Sequence, residues 1–296
     1  MYKLVAIDLD GTLLNSYGVV SEKNKEAIKK VISKGVEVVI ASGRPVSSVR
    51  NFANDIGANN YIICGNGSIL YDLKKEQILY DKFINKQKVL QIIKICEENS
   101  IFYNIYTETL TIAKSLNYNV LVYNNENQSK PDDKKTNIKI VSDIYRYIQE
   151  NDNLNVLKIT ICDPNQIIFG GIIKKLRQIK DIDVLDVSHM ARKTIKTGTE
   201  EVEIEYYYTE ITSQNVNKWN ALYELAKKNN IDTNEIIAIG DNINDKEMIE
   251  NAGLGVIMEN SSPYMKEIAD VMVADNNNDG VAEALNKYII KVGDWS

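Results

Sequence analysis

The chain of 296 residues is 44% hydrophobic and 26% charged, the composition of an ordinary globular protein with enough core for one large domain or two smaller ones. Its formal net charge of −6 argues against a protein that binds nucleic acid or an anionic membrane surface. No apolar run approaches the length of a membrane span, so we expect a protein without a membrane-spanning helix.

The first predicted strand carries the strongest signal. An apolar run at residues 4–7 ends in Asp8, Asp10 and Gly11, and ligands of open α/β sheets collect at the carboxyl ends of buried parallel strands. Side chains two residues apart in an extended chain point to the same side, so the two carboxylates would lie close together. Such a pair needs a proton or a cation, and a hard divalent ion such as magnesium takes oxygen ligands. The alternative is a plain strand followed by an Asp-Gly turn.

The second strand ends in a similar way. A helix is predicted at residues 21–33 and a strand at residues 36–41, and this strand–helix–strand order predicts a parallel sheet. Pro45 suits the first turn of the next helix, which places Ser42 and Gly43 beside a helix N-terminus that could receive an anion. An ordinary capped turn is the alternative.

A third strand, at residues 61–64, ends in a Gly-Asn-Gly sequence that indicates a tight turn, with Asn66 as a candidate site residue. A hairpin is predicted at residues 69–80, and an amphipathic helix at residues 86–99.

The middle of the chain changes character. Strands mix with helices there without glycine-rich strand ends, which predicts a separate α+β layer. Strands are predicted at residues 101–107, 109–113, 156–162, 184–187 and 202–208, and helices at residues 142–150 and 164–179. Residues 117–137, rich in Asn, Asp and Lys, are predicted to form an exposed loop. Tyr206 is either a strand residue or part of an aromatic wall against a substrate. Another predicted loop contains His189, Arg192 and Lys193, as a solvated face or as a contact for an anionic substrate.

The parallel pattern resumes with a helix predicted at residues 217–229. Lys218 lies in its first turn, where the helix dipole disfavours a cation, so its position suggests a functional role. A strand at residues 236–239 ends in a glycine followed by Asp241, and Asp245 begins the next helix, where an aspartate is commonly only a cap. The last predicted elements are strands at residues 254–258 and 270–274 and a helix at residues 280–290.

Cysteine and histidine usage narrows the chemistry. Cys64, Cys96 and Cys162 lack metal-ligand spacing, which suits a reducing compartment and buried apolar roles. His189 is the only histidine, so neither a histidine-rich metal site nor a serine hydrolase is indicated. The sequence shows no signal-peptide pattern, and we expect a cytoplasmic protein.

Four segments together resemble the signatures of the haloacid dehalogenase superfamily of phosphohydrolases, in its Cof-type branch (subfamily IIB). They are DLDGTL at residues 8–13, ASGRP at residues 41–45, VNKWNAL at residues 216–222 and GDNIND at residues 240–245, in the order that the family requires. Trp219 departs from the pattern, since many members have glycine there, and would narrow the pocket or shift the start of the helix. Asn276 matches an asparagine that this branch often carries near its site, although a plain loop residue is the alternative.

The resemblance implies an α/β fold. It places a Rossmann-like core with a parallel sheet at residues 1–82 and 207–296, and an inserted α+β (C2-type) cap domain at residues 83–206.

The resemblance also implies roles for the matched positions. Asp8 would be the nucleophile and a magnesium ligand, and Asp10 the general acid and base, with its backbone carbonyl on the metal. Asp241 would complete the Mg²⁺ site, while Ser42 and Lys218 would contact the phosphoryl group as catalytic residues. The remaining matches are Thr12, Gly43 and Asn244, which would bind phosphate or substrate, and Asp245, which would orient the metal waters or the lysine.

These roles imply a Mg²⁺-dependent phosphatase that hydrolyses small phosphorylated metabolites, such as sugar phosphates, through an aspartyl-phosphate intermediate. A phosphomutase of the same fold would use the same two aspartates. A non-catalytic regulator that binds sugar phosphates would keep the fold without turnover, but the presence of every acid, base and ligand position argues against it. The expected partner is a small phosphorylated metabolite, with no nucleic acid and no membrane, and no residue pattern indicates an oligomeric state.

Overall fold

The structure is a computed structural model that describes residues 1–128, 135–185, 190–197 and 200–290. His189 lies outside the described residues. The strands, in chain order, are β1 Leu4–Ile7, β2 Glu37–Ala41, β3 Tyr61–Cys64, β4 Ile69–Asp72, β5 Gln77–Asp81, β6 Phe102–Thr107, β7 Thr111–Ala113, β8 Ile138–Ile140, β9 Val156–Asp163, β10 Ile182–Val184, β11 Met190–Thr197, β12 Glu200–Ser213, β13 Ile236–Gly240, β14 Leu254–Met258 and β15 Val271–Val273. The helices are α1 Glu22–Ser33, α2 Val46–Ile56, α3 Lys86–Glu98, α4 Tyr118–Asn127, α5 Ile144–Glu150, α6 Gln166–Leu176, α7 Lys218–Lys228, α8 Lys246–Asn251, α9 Pro263–Ile268 and α10 Gly280–Leu285. Short 3₁₀ turns lie at Gly65–Gly67, Thr233–Glu235 and Ile243–Asp245, and a π-helical turn at Asn286–Ile290.

The chain forms two compact units. The first unit combines Met1–Asp81 with Val216–Ser296, and the second unit is Lys82–Asn215. The first division coincides with the end of β5, within one residue of the expected boundary at 82/83. The second division follows Asn215 and not residue 206, because β12 continues to Ser213 and pairs there with Ile182 of β10.

The first unit is built on one sheet with the strand order β15-β14-β13-β1-β2-β3-β4-β5. Neighbouring strands are parallel from β15 to β3, and β4 and β5 are added antiparallel. The four residues of β1 are fully buried in the interior of this sheet, which explains their uninterrupted apolar sequence. The expected parallel sheet is confirmed, and the carboxyl ends of β2, β1 and β13 lie side by side.

Helix α7 covers one face of this sheet. It begins at Lys218, because the Asn217 side chain accepts a hydrogen bond from the backbone N–H of Asn220 at 2.8 Å and so caps the helix. Its apolar side chains join a buried cluster with residues of β1 and β13. Trp219 packs against this cluster, with its ring centroid 6.1 Å from that of Tyr223. The helix begins one residue after the predicted start at residue 217, so Trp219 is accommodated without a large shift of the helix start.

The second unit has the strand order β10-β12-β9-β6-β7-β8, with β11 paired to β12. All of these pairs are antiparallel except β7 with β8. Helices α3, α5 and α6 bury their apolar faces with one face of the sheet in a single cluster. This unit is the α+β layer that the sequence predicts, although several of its elements differ from the prediction.

Residues 117–137 are not simply a loop, because α4 occupies Tyr118–Asn127. Its asparagine-rich sequence gives little helical patterning, and tertiary contacts hold it instead. Val120 is fully buried, and the Asn119 side chain donates to Oδ1 of Asn104 at 3.0 Å and to the hydroxyl of Tyr106 at 2.8 Å.

The prediction of a loop at Arg192 and Lys193 is wrong, because both residues lie in β11. This strand pairs antiparallel with β12, and the Arg192 guanidinium forms an ion pair with Glu205 opposite it. Cross-strand charge pairing therefore accounts for a basic residue that the sequence also allowed as an anion contact.

None of the helices among the described residues combines the length and the apolar composition needed to cross a membrane. Cys64, Cys96 and Cys162 are buried free thiols, and burial raises the pKa of each well above its usual range. Such thiols have the packing role that the sequence predicts.

Candidate active site

The candidate site lies where three parallel strands of the first unit end together. Ile7 of β1 stands in register with Ile40 of β2 on one side and with Ile239 of β13 on the other. The next residues along these strands lead to Asp8, Ser42 and Asp241. The sheet order thus brings together side chains that are more than 200 positions apart in the sequence.

Three carboxylates meet at this edge. Asp8, Asp241 and Asp245 each offer a carboxylate oxygen, and these oxygens all lie within 4.8 Å of one another. Asp8 and Asp245 are buried, and Asp241 is partly buried. The convergence that the sequence predicted for Asp8 and Asp241 is present in the fold.

Lys218 completes the buried cluster. Its ammonium donates hydrogen bonds to Oδ1 of Asp8 and, at 2.6 Å, to Oδ1 of Asp245, and its side chain is fully buried. The turn at Gly65–Gly67 packs directly on the start of this helix: Gly67 has a φ of +98°, and a Cβ there would lie 2.0 Å from the carbonyl oxygen of Asn217. The glycine therefore permits the close contact that sets the lysine beside the strand ends.

The cluster has an excess of negative charge. Burial and the neighbouring charge of Asp245 raise the pKa of Asp8 to about 8, against the opposing effect of Lys218. The same two causes raise the pKa of Asp241 to about 6. Burial by itself would lower the pKa of Lys218, but Asp245 and Asp8 more than reverse this and raise it. Lys218 therefore stays in its charged form, and the excess negative charge of the aspartates favours binding of a further cation.

Hydrogen bonds distinguish the three carboxylates, each of which offers an oxygen to a shared cation. Asp245 uses both oxygens, since Oδ1 accepts from Lys218 and Oδ2 accepts from the backbone N–H groups of Asp241 and Asn242 at 3.0 and 3.1 Å. Asp241 accepts at Oδ1 from the Thr12 hydroxyl at 2.9 Å. Asp245 thus accepts three hydrogen bonds and Asp241 accepts one from Thr12, a difference that favours Asp8 and Asp241 as the donors to a hard divalent cation, with Asp245 as their neighbour.

The loop after β1 lies tightly against this donor set. Gly11 has a φ of +86°, and a Cβ there would lie 2.5 Å from Oδ2 of Asp241. Two asparagines outside the four signature segments hold the same loop, because Asn260 donates to the carbonyl of Gly11 at 2.9 Å and Asn276 to the carbonyl of Leu14 at 2.7 Å. Asn276 therefore lies near the site as a loop clamp, and Asn260 is a site residue that the sequence pattern did not reveal.

The loop after β2 contributes a buried hydroxyl. Oγ of Ser42 accepts a hydrogen bond from the backbone N–H of Arg44 at 3.2 Å, and a hydroxyl that accepts such a bond keeps its own proton for donation. Next to it, a Cβ on Gly43 would lie 2.8 Å from Oδ1 of Asn66, and the same oxygen accepts from the Asn244 side chain at 3.1 Å. The fold therefore brings Ser42, Gly43, Asn66 and Asn244 together.

Asp10 is separated from the buried carboxylates. Its side chain is 55% exposed, and both of its oxygens accept hydrogen bonds from Arg44, at 2.8 Å from Nε and 2.5 Å from Nη2. The expectation that Asp8 and Asp10 form one pair of like charges is therefore replaced by two environments, one buried with Lys218 and one exposed with Arg44. Arg44 was visible in the ASGRP segment, but only the fold reveals its partner.

Tyr206 belongs to the second unit. The ring is buried, 5.1 Å from the Tyr118 ring centroid and 6.3 Å from that of Tyr208. These contacts favour packing between β12 and α4 over an open aromatic wall.

The chain is similar to known proteins of one family. The chain matches the family described as haloacid dehalogenase-like hydrolase over residues 5–285. Phosphatase YwpJ of Bacillus subtilis is 28% identical over 303 residues, which cover 97% of this chain and 100% of the relative. The 5-amino-6-(5-phospho-D-ribitylamino)uracil phosphatase YcsE of Bacillus subtilis is 26% identical over 288 residues, covering 97% and 96%. A crystal structure of a haloacid dehalogenase-like hydrolase from Bacteroides thetaiotaomicron has a TM-score of 0.77 and 26% identity, covering 97% of this chain and 99% of that one.

Proposed function

This chain belongs to the haloacid dehalogenase-like hydrolase family, and we propose that it is a magnesium-dependent phosphatase of small phosphomonoesters. The observation that carries the proposal is the convergence of Asp8, Asp241 and Lys218 at one edge of the parallel sheet. The names of the relatives YwpJ and YcsE, both phosphatases, support the reaction class.

We assign the nucleophile to Asp8 and the proton transfers to Asp10. An oxygen of Asp8 attacks the phosphorus of the phosphomonoester, and the bond to the leaving-group oxygen breaks as that oxygen takes a proton from Asp10. Asp10 then accepts a proton from a water molecule, whose oxygen attacks the phosphorus of the aspartyl phosphate. This second attack releases inorganic phosphate and restores the Asp8 carboxylate.

A magnesium ion fits the donor set. Burial makes the charges of Asp8 and Asp241 costly, and carboxylate oxygens are the ligands that hard divalent cations prefer. We assign the ion to these two side chains and to the backbone carbonyl of Asp10. When bound, it offsets negative charge on the phosphoryl oxygens.

The remaining groups support the transfer of the phosphoryl group. Lys218 and the Ser42 hydroxyl donate to its oxygens, where donors fixed in advance stabilise developing charge. Gly43 and Asn244 lie close to Ser42 in the loops after the strands. Asp245 accepts a hydrogen bond from Lys218 and so orients it. Thr12 acts through its hydrogen bond to Asp241 and so orients a metal ligand, where the sequence suggested a phosphate contact.

We assign the catalytic core to the first unit and the role of a substrate-selecting cap to the second. The name of YcsE describes a small phosphorylated metabolite as its substrate, which supports this class of substrate here. A phosphomutase is the second candidate, because Asp8 and Asp10 would serve it equally well.

A screen of phosphorylated metabolites with MgCl₂, and in parallel with a chelator, tests the proposal. Phosphate release that requires Mg²⁺ and disappears in Asp8→Asn is the expected result. A phosphoryl group that moves to another hydroxyl of the substrate without release indicates the mutase. Absence of turnover across sugar phosphates, nucleotides and other phosphomonoesters would contradict the enzymatic proposal and favour a binding protein.

A further inference from the structure

The exposed ion pair between Asp10 and Arg44 has a geometry that most surface pairs lack. The guanidinium meets the carboxylate as a fork, with Nε to Oδ2 at 2.8 Å and Nη2 to Oδ1 at 2.5 Å. Such two-point pairs fix the plane and direction of a carboxylate, whereas a single contact fixes only its distance.

The guanidinium of Arg44 is itself anchored. Its carbon lies 5.3 Å from the ring centroid of Phe52, and Nη1 donates to the Ser48 hydroxyl at 3.4 Å, so α2 holds it from behind. Hydrogen bonds also hold the backbone of Arg44. Its N–H donates to Oγ of Ser42, and its carbonyl accepts from the N–H of Gly65 at 3.1 Å. A rigid support of this kind is what a group needs to orient another side chain.

We propose that Arg44 is a positioning residue that holds the Asp10 carboxylate in the orientation for proton transfer. A carboxylate has about four acceptor positions, and the fork uses one on each oxygen, so each oxygen keeps a position for the proton. Without the fork, an exposed aspartate turns among its rotamers, and misplacement of a catalytic group lowers its contribution steeply. This inference rests on the proposed phosphatase function and adds a residue to it.

The chain offers a matched control in Arg50. Its side chain is 34% exposed against 36% for Arg44, it pairs with Glu76 at 3.0 Å, and it lies 5.3 Å from the ring centroid of Tyr71. The two arginines therefore share exposure, an acidic partner and an aromatic contact, but Arg50 contacts neither Asp10 nor the strand ends. A loss that comes only from removing a surface charge pair should appear equally in both.

The test compares two substrates that differ in their need for an acid. The p-nitrophenolate of p-nitrophenyl phosphate is a stable leaving group and departs with little protonation. The alkoxide of an alkyl phosphate hydrolysed by the protein needs a proton from an acid as it departs. We expect Arg44→Ala to lower kcat/KM for the alkyl phosphate by about 10²-fold and for the aryl phosphate by only a few fold. Arg44→Lys should recover part of the loss, because an ammonium supplies charge without the fork. Arg50→Ala should leave both values unchanged.

A double variant then separates positioning from direct contact with substrate. Asp10→Asn should give the same substrate pattern as Arg44→Ala, and the double variant should be no slower than Asp10→Asn alone. Equal losses on both substrates, or losses that multiply in the double variant, would overturn the inference and make Arg44 a substrate ligand. Turnover unaffected by Arg44→Ala would also overturn it while leaving the phosphatase proposal intact. Absence of turnover in the unmodified protein overturns both proposals. Thermal unfolding confirms that each variant folds. If Arg44→Ala does not fold, Arg44→Lys replaces it and must also lower the ratio of kcat/KM for the alkyl phosphate to kcat/KM for the aryl phosphate.

Discussion

Each unit of this protein contains a lysine that is buried or largely buried beside carboxylates, and the two lysines differ in charge balance. Lys218 in the first unit contacts Asp8 and Asp245. Lys158 in the second unit contacts Glu210 at 2.5 Å and lies 4.8 Å from the ring centroid of Tyr106, with 14% of its side chain exposed. Burial opposes the charge of both lysines, and the neighbouring groups, led by Glu210 for Lys158 and by Asp245 for Lys218, more than reverse this and raise the pKa. Burial and ion pairing thus do not distinguish the surroundings of Lys218 from those of Lys158.

The number of carboxylates does distinguish them. Lys158 and Glu210 balance one to one, whereas Lys218 stands among Asp8, Asp241 and Asp245. An unbalanced buried cluster needs a proton or a further cation, and burial together with the charge of Asp245 raises the pKa of Asp8 to about 8. The excess charge marks the strand ends as a place for a metal and for chemistry, while the balanced pair marks a structural contact.

The largest expected effect follows from removing the nucleophile. Asp8→Asn should lower phosphate release by at least about 10³-fold, because an amide cannot form the aspartyl phosphate. The same change removes one of three crowded carboxylates and leaves Lys218 paired with Asp245. The thermal unfolding midpoint in a chelator should therefore stay equal or rise. A variant that loses both activity and stability would show that Asp8 is needed for the fold and would weaken its assignment.

The balanced pair predicts the opposite outcome in the second unit. Lys158→Met should lower the free energy of unfolding by about 3–5 kcal/mol, because it leaves the Glu210 carboxylate without its partner. The double variant Lys158→Met with Glu210→Leu should recover most of that loss, since an apolar pair has no charge to compensate. Urea unfolding of the three proteins measures this. A double variant as unstable as the single one would show that the pair is not balanced by itself.

The hydroxyl after β2 should matter more for rate than for stability, since its hydrogen bond from the Arg44 N–H contributes about 1 kcal/mol. Ser42→Ala should lower kcat by about 10²-fold, close to 3 kcal/mol, because it removes one donor to the phosphoryl oxygens. Ser33→Ala is a control for loss of a hydroxyl away from the strand ends, because Ser33 is exposed on α1 and its hydroxyl donates to the carbonyl of Lys30 at 2.8 Å. If kcat changes equally in the two variants, Ser42 does not contact the transferring group.

The contrast between strand ends and second unit also explains what the sequence could predict. Asp8 and Asp241 each follow an apolar run, which places them at strand ends, and the resemblance of DLDGTL and GDNIND to the family's signatures implies that they share one site. Lys218 stands in a first helical turn, against the dipole, which hints at a function, and the resemblance of its segment implies the role. These signals lie within a few residues of the side chain concerned, which is why they can be read without the fold.

Contacts between distant polar residues leave no such signal. Arg44 and Asp10 are 34 positions apart on loops, and neither periodicity nor spacing predicts that they form a fork. The division after Asn215 depended on the length of β12, and α4 depended on tertiary contacts of Asn119 and Val120 that override weak local patterning. Such features require the three-dimensional structure because the interactions that stabilise them are non-local.

The smallest expected effect concerns two buried threonines whose hydroxyls have different partners. Thr12 donates to Oδ1 of Asp241 at 2.9 Å, and Thr209 in the second unit donates to the carbonyl of Leu185 at 2.5 Å. Thr12→Val should raise the Mg²⁺ concentration for half-maximal activity by about tenfold, because orienting partners of metal ligands typically change metal affinity by this factor or more. Thr209→Val removes a hydroxyl of the same size and burial and should leave the Mg²⁺ dependence unchanged. Activity titrations with MgCl₂ compare the two, and an equal shift in both would mean that the Asp241 hydrogen bond does not orient a metal ligand.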